Sequence, residues 1–288
     1  MRIRLVAAAL AAILPLCSPA PAAADPIHVV AAENFYGDLA TEIGGAAVAV
    51  TSILASPDQD PHLFETSAST ARDIAGAAIV LYNGADYDPW MEKLLSASPQ
   101  PGRTPIVADA LTGHKSGDNP HLWYDPATLP AVAAALAAEL ERRDPADVLQ
   151  FKINLAGFLA SLAPVNAAIE RIKAAHAGTK VTATEPVFGY MAAALGFIML
   201  NGDFQLAVMN ETEPSPSDVI GFERSLKDGT ARLLFYNAQV ADDTTARLLK
   251  LARDAHVPVI GVTETEPQGE TIATWFAGQL AEIEDALK

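Results

Sequence analysis

At 288 residues, 50% hydrophobic and 19% charged, the chain is neither disordered nor fibrous, and it has room for one large or two medium cores of ~100 to 150 residues each. Its 19 basic side chains stand against 35 acidic ones, a net charge of −16. Such a chain repels phosphate backbones and anionic lipid, which argues against nucleic acid as a partner and makes a cation the natural ligand.

The amino terminus reads as an export signal. Arg2 and Arg4 precede an apolar run from Leu5 to Leu16, and Ala22, Ala23 and Ala24 supply a small-residue cleavage site, with the cut expected between Ala24 and Asp25. The run is too short to span a bilayer. Cys17 raises the alternative of a lipid anchor, but Leu14, Pro15 and Leu16 are a poor match to the small residues such processing needs. Cleavage after Ala24 leaves 17 basic against 35 acidic residues, a net −18, and no cysteine. The exported chain would then have no disulfide and no thiolate metal ligand. No later stretch is expected to be a transmembrane helix, so a soluble periplasmic protein is expected.

From residue 25 onward strand-like and helical runs alternate: strand 27–31, helix 35–43, strand 47–53, helix 67–77, buried strand 78–82, the Asn83-Gly84 turn, helix 89–96 and strand 105–108, then an irregular polar loop at 113–119. This is the pattern of a parallel α/β sheet. The centre differs. Segments 126–143 and 145–177 carry apolar residues at helical spacing, among them Leu149, Ile153, Phe158, Leu162, Val165, Ile169 and Ile172. The second segment would form one helix of roughly 45 Å if Pro164 does not break it. Gly178 ends it, and alternation resumes with strands at 180–184, 197–200, 233–236 and 257–262 and helices at 186–195, 218–228, 242–255 and 271–287. The expected fold class is α/β: an N-terminal lobe at 25–144, a linking helix at 145–178 and a C-terminal lobe at 179–288, with parallel sheets and a site in the cleft between lobes.

Two of the six histidines share a local frame. Asp60-Pro61-His62-Leu63-Phe64 and Asn119-Pro120-His121-Leu122-Trp123 both present Pro-His-Leu-aromatic. Proline fixes its own φ and holds the preceding residue extended, giving each imidazole a preset direction. Taken singly, either histidine reads more simply as a structural residue; their duplication favours a ligand pair. Glu185 follows one second-lobe strand and Glu264 another, both at carboxyl ends, where open α/β sheets place ligands. Each also has a plainer reading, Glu185 as a helix-start carboxylate and Glu264 as a solvated loop residue, and Glu266 competes with Glu264. Two imidazoles and two carboxylates would enclose a divalent cation and draw the lobes together. No zincin helix, nucleophile elbow or phosphate loop occurs, so no catalytic constellation is expected.

These motifs, with Phe188-Gly189-Tyr190, Glu213-Pro214-Ser215 and Val262-Thr263-Glu264, resemble the zinc/manganese-binding substrate-binding proteins of bacterial ABC transporters over essentially the whole exported chain. The resemblance implies two lobes, a rigid connecting helix, one divalent metal ion carried as cargo (Mn2+ or Zn2+) and delivery to a permease in the cytoplasmic membrane, the receptor being a monomer. By the same resemblance His62, His121, Glu185 and Glu264 are the metal ligands. Glu185 stands where zinc-type members commonly have a third histidine, and Glu264 where the family usually has aspartate. Carboxylate donors lean the cargo toward Mn2+, although Zn2+ should bind at least as tightly in vitro. A metal-dependent surface adhesin is the alternative, with a secreted metalloenzyme third. Glu65 and Asp125 are candidates to receive a ligand imidazole's second N–H. Trp123, Tyr124, Phe64, Phe188 and Tyr190 are expected to wall the cleft, and Asn237 to line it.

Overall fold

The computed structural model describes residues 25–56, 61, 64–210, 212–240 and 243–288. The leader at 1–24 and the candidate ligand His62 lie outside the described residues. In chain order the first lobe contains β1 (Ile27–Glu33), α1 (Asn34–Gly44), β2 (Val48–Leu54), α2 (Ala68–Gly76), β3 (Ile79–Tyr82), α3 (Pro89–Ala97), β4 (Thr104–Val107) and α4 (Ala108–Thr112). The helices α5 (Thr128–Arg143), α6 (Val148–Ser161) and α7 (Ala163–His176) follow. The second lobe contains β5 (Lys180–Ala183), α8 (Gly189–Ala194), β6 (Ile198–Met199), α9 (Gly202–Met209), α10 (Pro216–Lys227), β7 (Leu234–Asn237), α11 (Asp243–Asp254), β8 (Val259–Val262) and α12 (Ile272–Ala286).

Both sheets are four-stranded and parallel, in the orders β2-β1-β3-β4 and β6-β5-β7-β8. In each, the chain leaves the second strand of the order toward one edge and returns on its other side, so direction reverses between β1 and β3 and again between β5 and β7. Ligand sites of open α/β sheets form outside the carboxyl ends of strands at such reversals. β3 is buried at all four positions of its Ile-Val-Leu-Tyr run, as expected of a parallel strand covered on both faces. Helix starts are capped locally: Ser67 and Thr70 form a reciprocal capping box at α2, Thr271 and Thr274 another at α12.

The lobes share one apolar core. It runs from Val29, Ile79 and Leu81 of the first sheet through Trp123, Tyr124 and Phe188 to Val181, Phe235 and Ile260 of the second. Ring contacts carry it across: Phe35 to Trp123 at 5.0 Å, Tyr124 to Phe188 at 5.0 Å and Tyr124 to Phe276 at 5.4 Å. Separating the lobes would expose these aromatics at ~2 to 3 kcal/mol each, so wide opening is disfavoured by packing alone.

Three expectations change. The linking segment is a bent helix, divided at Leu162 into α6 and α7. Pro164 has no N–H to return to the preceding turn and its ring crowds the carbonyl four residues back, yet it suits the first turn of a new helix. That same segment, Val148–His176, has a window of mean hydropathy 1.4 and is long and apolar enough to cross a membrane by length and composition, which the sequence reading had excluded. In the structure its Phe151, Phe158, Val165, Ile169 and Ile172 are buried in the shared core. Finally, α4 and α9 form where no helix was expected.

Candidate metal centre

His121 is fully buried at the mouth of the first sheet. Asn119 orients it: the Asn119 side-chain amide donates to the Pro186 carbonyl at 2.8 Å, so its Oδ1 faces the imidazole, accepting from the His121 backbone N–H at 3.2 Å and contacting Nδ1 at 2.7 Å. With the amide's orientation fixed by Pro186, Nδ1 must carry the proton. Nε2 points the other way and has no hydrogen-bond partner. At 3.6 Å lies Oε2 of Glu264, also fully buried.

Glu264 is held from several sides. Tyr87 donates its hydroxyl to Oε2 at 2.8 Å and Asn237 its amide to Oε1 at 2.5 Å. The Gln239 side-chain oxygen accepts the backbone N–H groups of Glu264 and Thr265. One residue earlier, the Thr263 carbonyl accepts from Tyr124, whose hydroxyl also accepts from Gln279. Thus a first-lobe tyrosine fixes the end of a second-lobe strand. Burial, reinforced by the Glu264 charge, holds the Tyr87 hydroxyl well above its ordinary pKa, which keeps it a donor.

Behind the pair lies a buried polar network. Asp88 accepts the backbone N–H groups of Asn83 and Gly84 at 2.6 and 2.8 Å. Asn83 accepts from Tyr36 at 3.0 Å and donates to the Pro120 carbonyl at 2.7 Å, which fixes the residue before His121. Gly84 is required at this turn: its φ is +73° and a Cβ would lie 2.4 Å from the Asp109 carboxylate. Burial pushes Asp88 up to about 7 against the pull of those N–H groups. Glu33, at the end of β1, is fully buried with neither carboxylate oxygen paired. Burial first, then the charges of Asp88 and Glu264, hold it well above the usual carboxylate range.

The structure thus brings His121 and Glu264 together. Glu185 is 4% exposed just past β5, adjacent to the Pro186 carbonyl that Asn119 binds. Among the described residues no three His, Cys, Asp or Glu side chains converge closely enough to hold an ion; His62 is outside them. Glu266 sits elsewhere: its backbone exchanges two hydrogen bonds with the Asn34 side chain, and the residue borders a separate pocket with Asp38 and Glu270.

Asn237 lines the site as expected. Asp125 does not serve His121; the short Asn119 side chain two residues upstream takes Nδ1, while Asp125 lies 3.6 Å from His114 Nε2 and accepts from the Ala127 N–H. Glu65 is exposed. Of the aromatics, Trp123, Tyr124 and Phe188 sit in the interlobe core, Tyr190 donates to the Asn119 carbonyl at 2.7 Å, and Phe64 packs on Trp90. Sequence reasoning missed Tyr87, Gln239 and Glu33. Glu33 alone had a signal, since it ends a strand just as Glu264 does.

Two parallel-sheet lobes around a shared core, with a buried polar site at their strand ends, define a two-lobe binding-protein architecture. The family model for the periplasmic component A of the zinc-uptake complex, ZnuA, matches residues 29–286. The chain belongs to this family of substrate-binding proteins of metal ABC transporters. It is 31% identical over 105 residues, 34% of each chain, to the manganese-binding lipoprotein MntA of Bacillus subtilis. It is 22% identical over 283 residues to the metal ABC transporter substrate-binding lipoprotein ScbA of Streptococcus cristatus, covering 91% of this chain and 89% of that one. The periplasmic zinc binding protein TroA from Treponema pallidum has the same fold, with TM-score 0.74 at 17% identity over 91% of this chain and 98% of the other.

Proposed function

We propose that this chain captures one divalent transition metal ion, Mn2+ in preference to Zn2+, outside the cytoplasmic membrane and delivers it to an ABC transporter permease. His121 and Glu264, together with His62 and Glu185, are the proposed ligands. The observation that carries the reading is the buried pair itself. Nε2 of His121 and Oε2 of Glu264, both fully buried, face each other at 3.6 Å, too long for a hydrogen bond, with Nδ1 held by Asn119, a spacing at which one cation takes both as ligands. Buried polar groups are normally satisfied, and a neutral imidazole with its far N–H bonded is how a metal-binding histidine is held.

Two carboxylates would neutralise the ion while oxygen donors suit Mn2+. The leader would be cut after Ala24, and the lobes would be residues 25–144 and 179–288 with 145–178 linking them. The chain acts as a monomeric receptor rather than an enzyme, with no nucleic-acid partner. Because the lobes share a core, metal entry would order loops at the mouth rather than swing the lobes.

The test is metal content by mass spectrometry after purification without chelator, then competition of Mn2+ against Zn2+ on apo wild type and Glu185→His. One manganese per chain in wild type, displaced by zinc preference in the variant, supports the reading. Zinc retained with little Mn2+ binding by wild type overturns the cargo assignment, and no stoichiometric metal overturns the function.

A further inference from the structure

His121 and Glu264 have no exposed surface, so a cation reaches them only when part of their wall moves. One side chain touches both of them and also faces solvent. The Tyr87 ring stands edge-on to the His121 imidazole with centroids 5.9 Å apart, and its hydroxyl donates to Glu264 Oε2 at 2.8 Å. Tyr87 is itself only half-buried, and it borders a cavity of about 370 Å3 between the lobes. Pro120, which precedes His121, borders the same cavity. Asp86 and Asp118 lie on its first-lobe side, and Leu206 and Met209 of α9 form the facing wall. Among the described residues no lysine, arginine or histidine lines it. A cleft with acidic walls and no opposing charge raises the local concentration of cations.

The turn that carries Tyr87 is strained. Gly84, Ala85 and Asp86 take φ values of +73°, +51° and +66°, three left-handed residues in succession, and in the last two a Cβ disfavours that conformation. Strained backbone persists only where its surroundings hold it. Here the ends are tied firmly: buried Asp88, just after the turn, accepts the N–H groups of Asn83 and Gly84 at its start. In the middle, the Ala85 N–H donates to the Asp109 carboxylate at 2.9 Å. The Asp86 carboxylate accepts from the Ser116 hydroxyl at 2.5 Å and the Gly117 N–H at 3.0 Å. These last two bonds lie at the surface, where water competes for them, so the stretch from Ala85 to Tyr87 is the part of the wall that releases most easily.

We propose that this cavity is the vestibule through which the cation enters and leaves the proposed metal centre, and that Tyr87 is its door, hinged on Ala85 and Asp86 and latched by Glu264. The inference rests on the metal-capture reading above. When the hydroxyl leaves Glu264 and the ring moves into the cavity, Oε2 and Nε2 are uncovered together. An obstruction in the vestibule touches neither ligand, so it slows entry and exit equally and leaves Kd unchanged, whereas loss of a bond that only supports a ligand speeds exit alone.

Cleavage after Ala24 leaves the exported chain without a cysteine, so Leu206→Cys places a single thiol on the far wall, at a position 46% exposed. Stopped-flow mixing of the apo chain with Mn2+ or Zn2+, and of the loaded chain with excess chelator, gives kon and koff before and after the thiol is modified with a bulky maleimide. Modification should slow both rates at least tenfold with Kd within threefold. The same modification of Ile153→Cys, on α6 at a position 55% exposed, should leave both rates in place. Tyr87→Phe keeps the ring and removes the latch, and it should raise kon at least threefold. A kon unaffected by modification at position 206 overturns the vestibule, and a kon unchanged or lowered in Tyr87→Phe overturns the door. If the unmodified chain binds neither metal, the metal-capture reading itself fails and the vestibule with it.

Discussion

Replacing Asn119 with alanine removes the group that sets the His121 tautomer. Asn119 makes three contacts: it accepts from the His121 N–H at 3.2 Å, pairs with Nδ1 at 2.7 Å and donates to the Pro186 carbonyl at 2.8 Å. The first two hold the ligand ring, and the third ties the first lobe to the residue after Glu185. Losing the partner of a metal-bound imidazole typically costs 10- to 100-fold in affinity, about 1.4 to 2.7 kcal/mol. Leaving the Pro186 carbonyl without its donor costs a further ~1 kcal/mol or more in stability. Asn119→Asp separates the two effects: it keeps the acceptor for Nδ1 and loses the donor to Pro186. Competition for Mn2+ and Zn2+ against a chromophoric chelator at pH 7.5, with urea unfolding of each apo protein, should show affinity lost in Asn119→Ala and retained within threefold in Asn119→Asp, while both are destabilised. Equal affinity of wild type and Asn119→Ala would refute the claim that this bond orients the ligand.

Glu264→Gln should weaken metal binding at least 100-fold, because it removes an anionic oxygen donor beside His121 Nε2; affinity within threefold of wild type in chelator competition would count against Glu264 as a ligand. Gly84→Ala should cost ~2 kcal/mol or more through its φ of +73° and the Asp109 contact at 2.4 Å, read as a drop in urea midpoint; an unchanged midpoint contradicts the turn argument. Asp88, raised to about 7 from an unfolded value near 3.9, binds its proton in the folded state over that interval. Its contribution to apo stability is therefore greatest below pH ~4 and declines as pH rises to 7. Apo wild type should show a higher urea midpoint at pH 5.5 than at pH 8, with the difference reduced in Asp88→Asn; a midpoint that climbs with pH would reverse the sign.

The fold was legible because each parallel strand announces itself as a short apolar run and each helix as a longer periodic one. The helix α9 escaped because Gly-Asp-Phe-Gln-Leu-Ala-Val-Met has apolar residues on more than one side and begins after Asn201, which takes a left-handed φ of +57°, a conformation no periodicity reveals. Pro164 was recognised as a possible break, and whether the helix restarts beyond it depends on the core that Val165 and Ile169 enter. At the site, the motifs drew attention to His121, Glu185 and Glu264, but which of Glu264 and Glu266 lies beside His121 is visible only in three dimensions. In an extended strand residues two apart share a face; here the chain bends at Glu264 and Thr265, Gln239 and Asn34 hold successive N–H groups, and the two carboxylates part. Tyr87 and Gln239 reach Glu264 from 177 and 25 residues away, and local sequence carries no trace of such contacts.

The most direct test of the account is an anomalous-difference map at the manganese and zinc absorption edges from crystals of the exported chain soaked with each metal. The account predicts a single strong peak between His121 Nε2 and the Glu264 carboxylate, with the peak absent in Glu264→Gln. A principal peak elsewhere in the molecule, or none near His121, would contradict it.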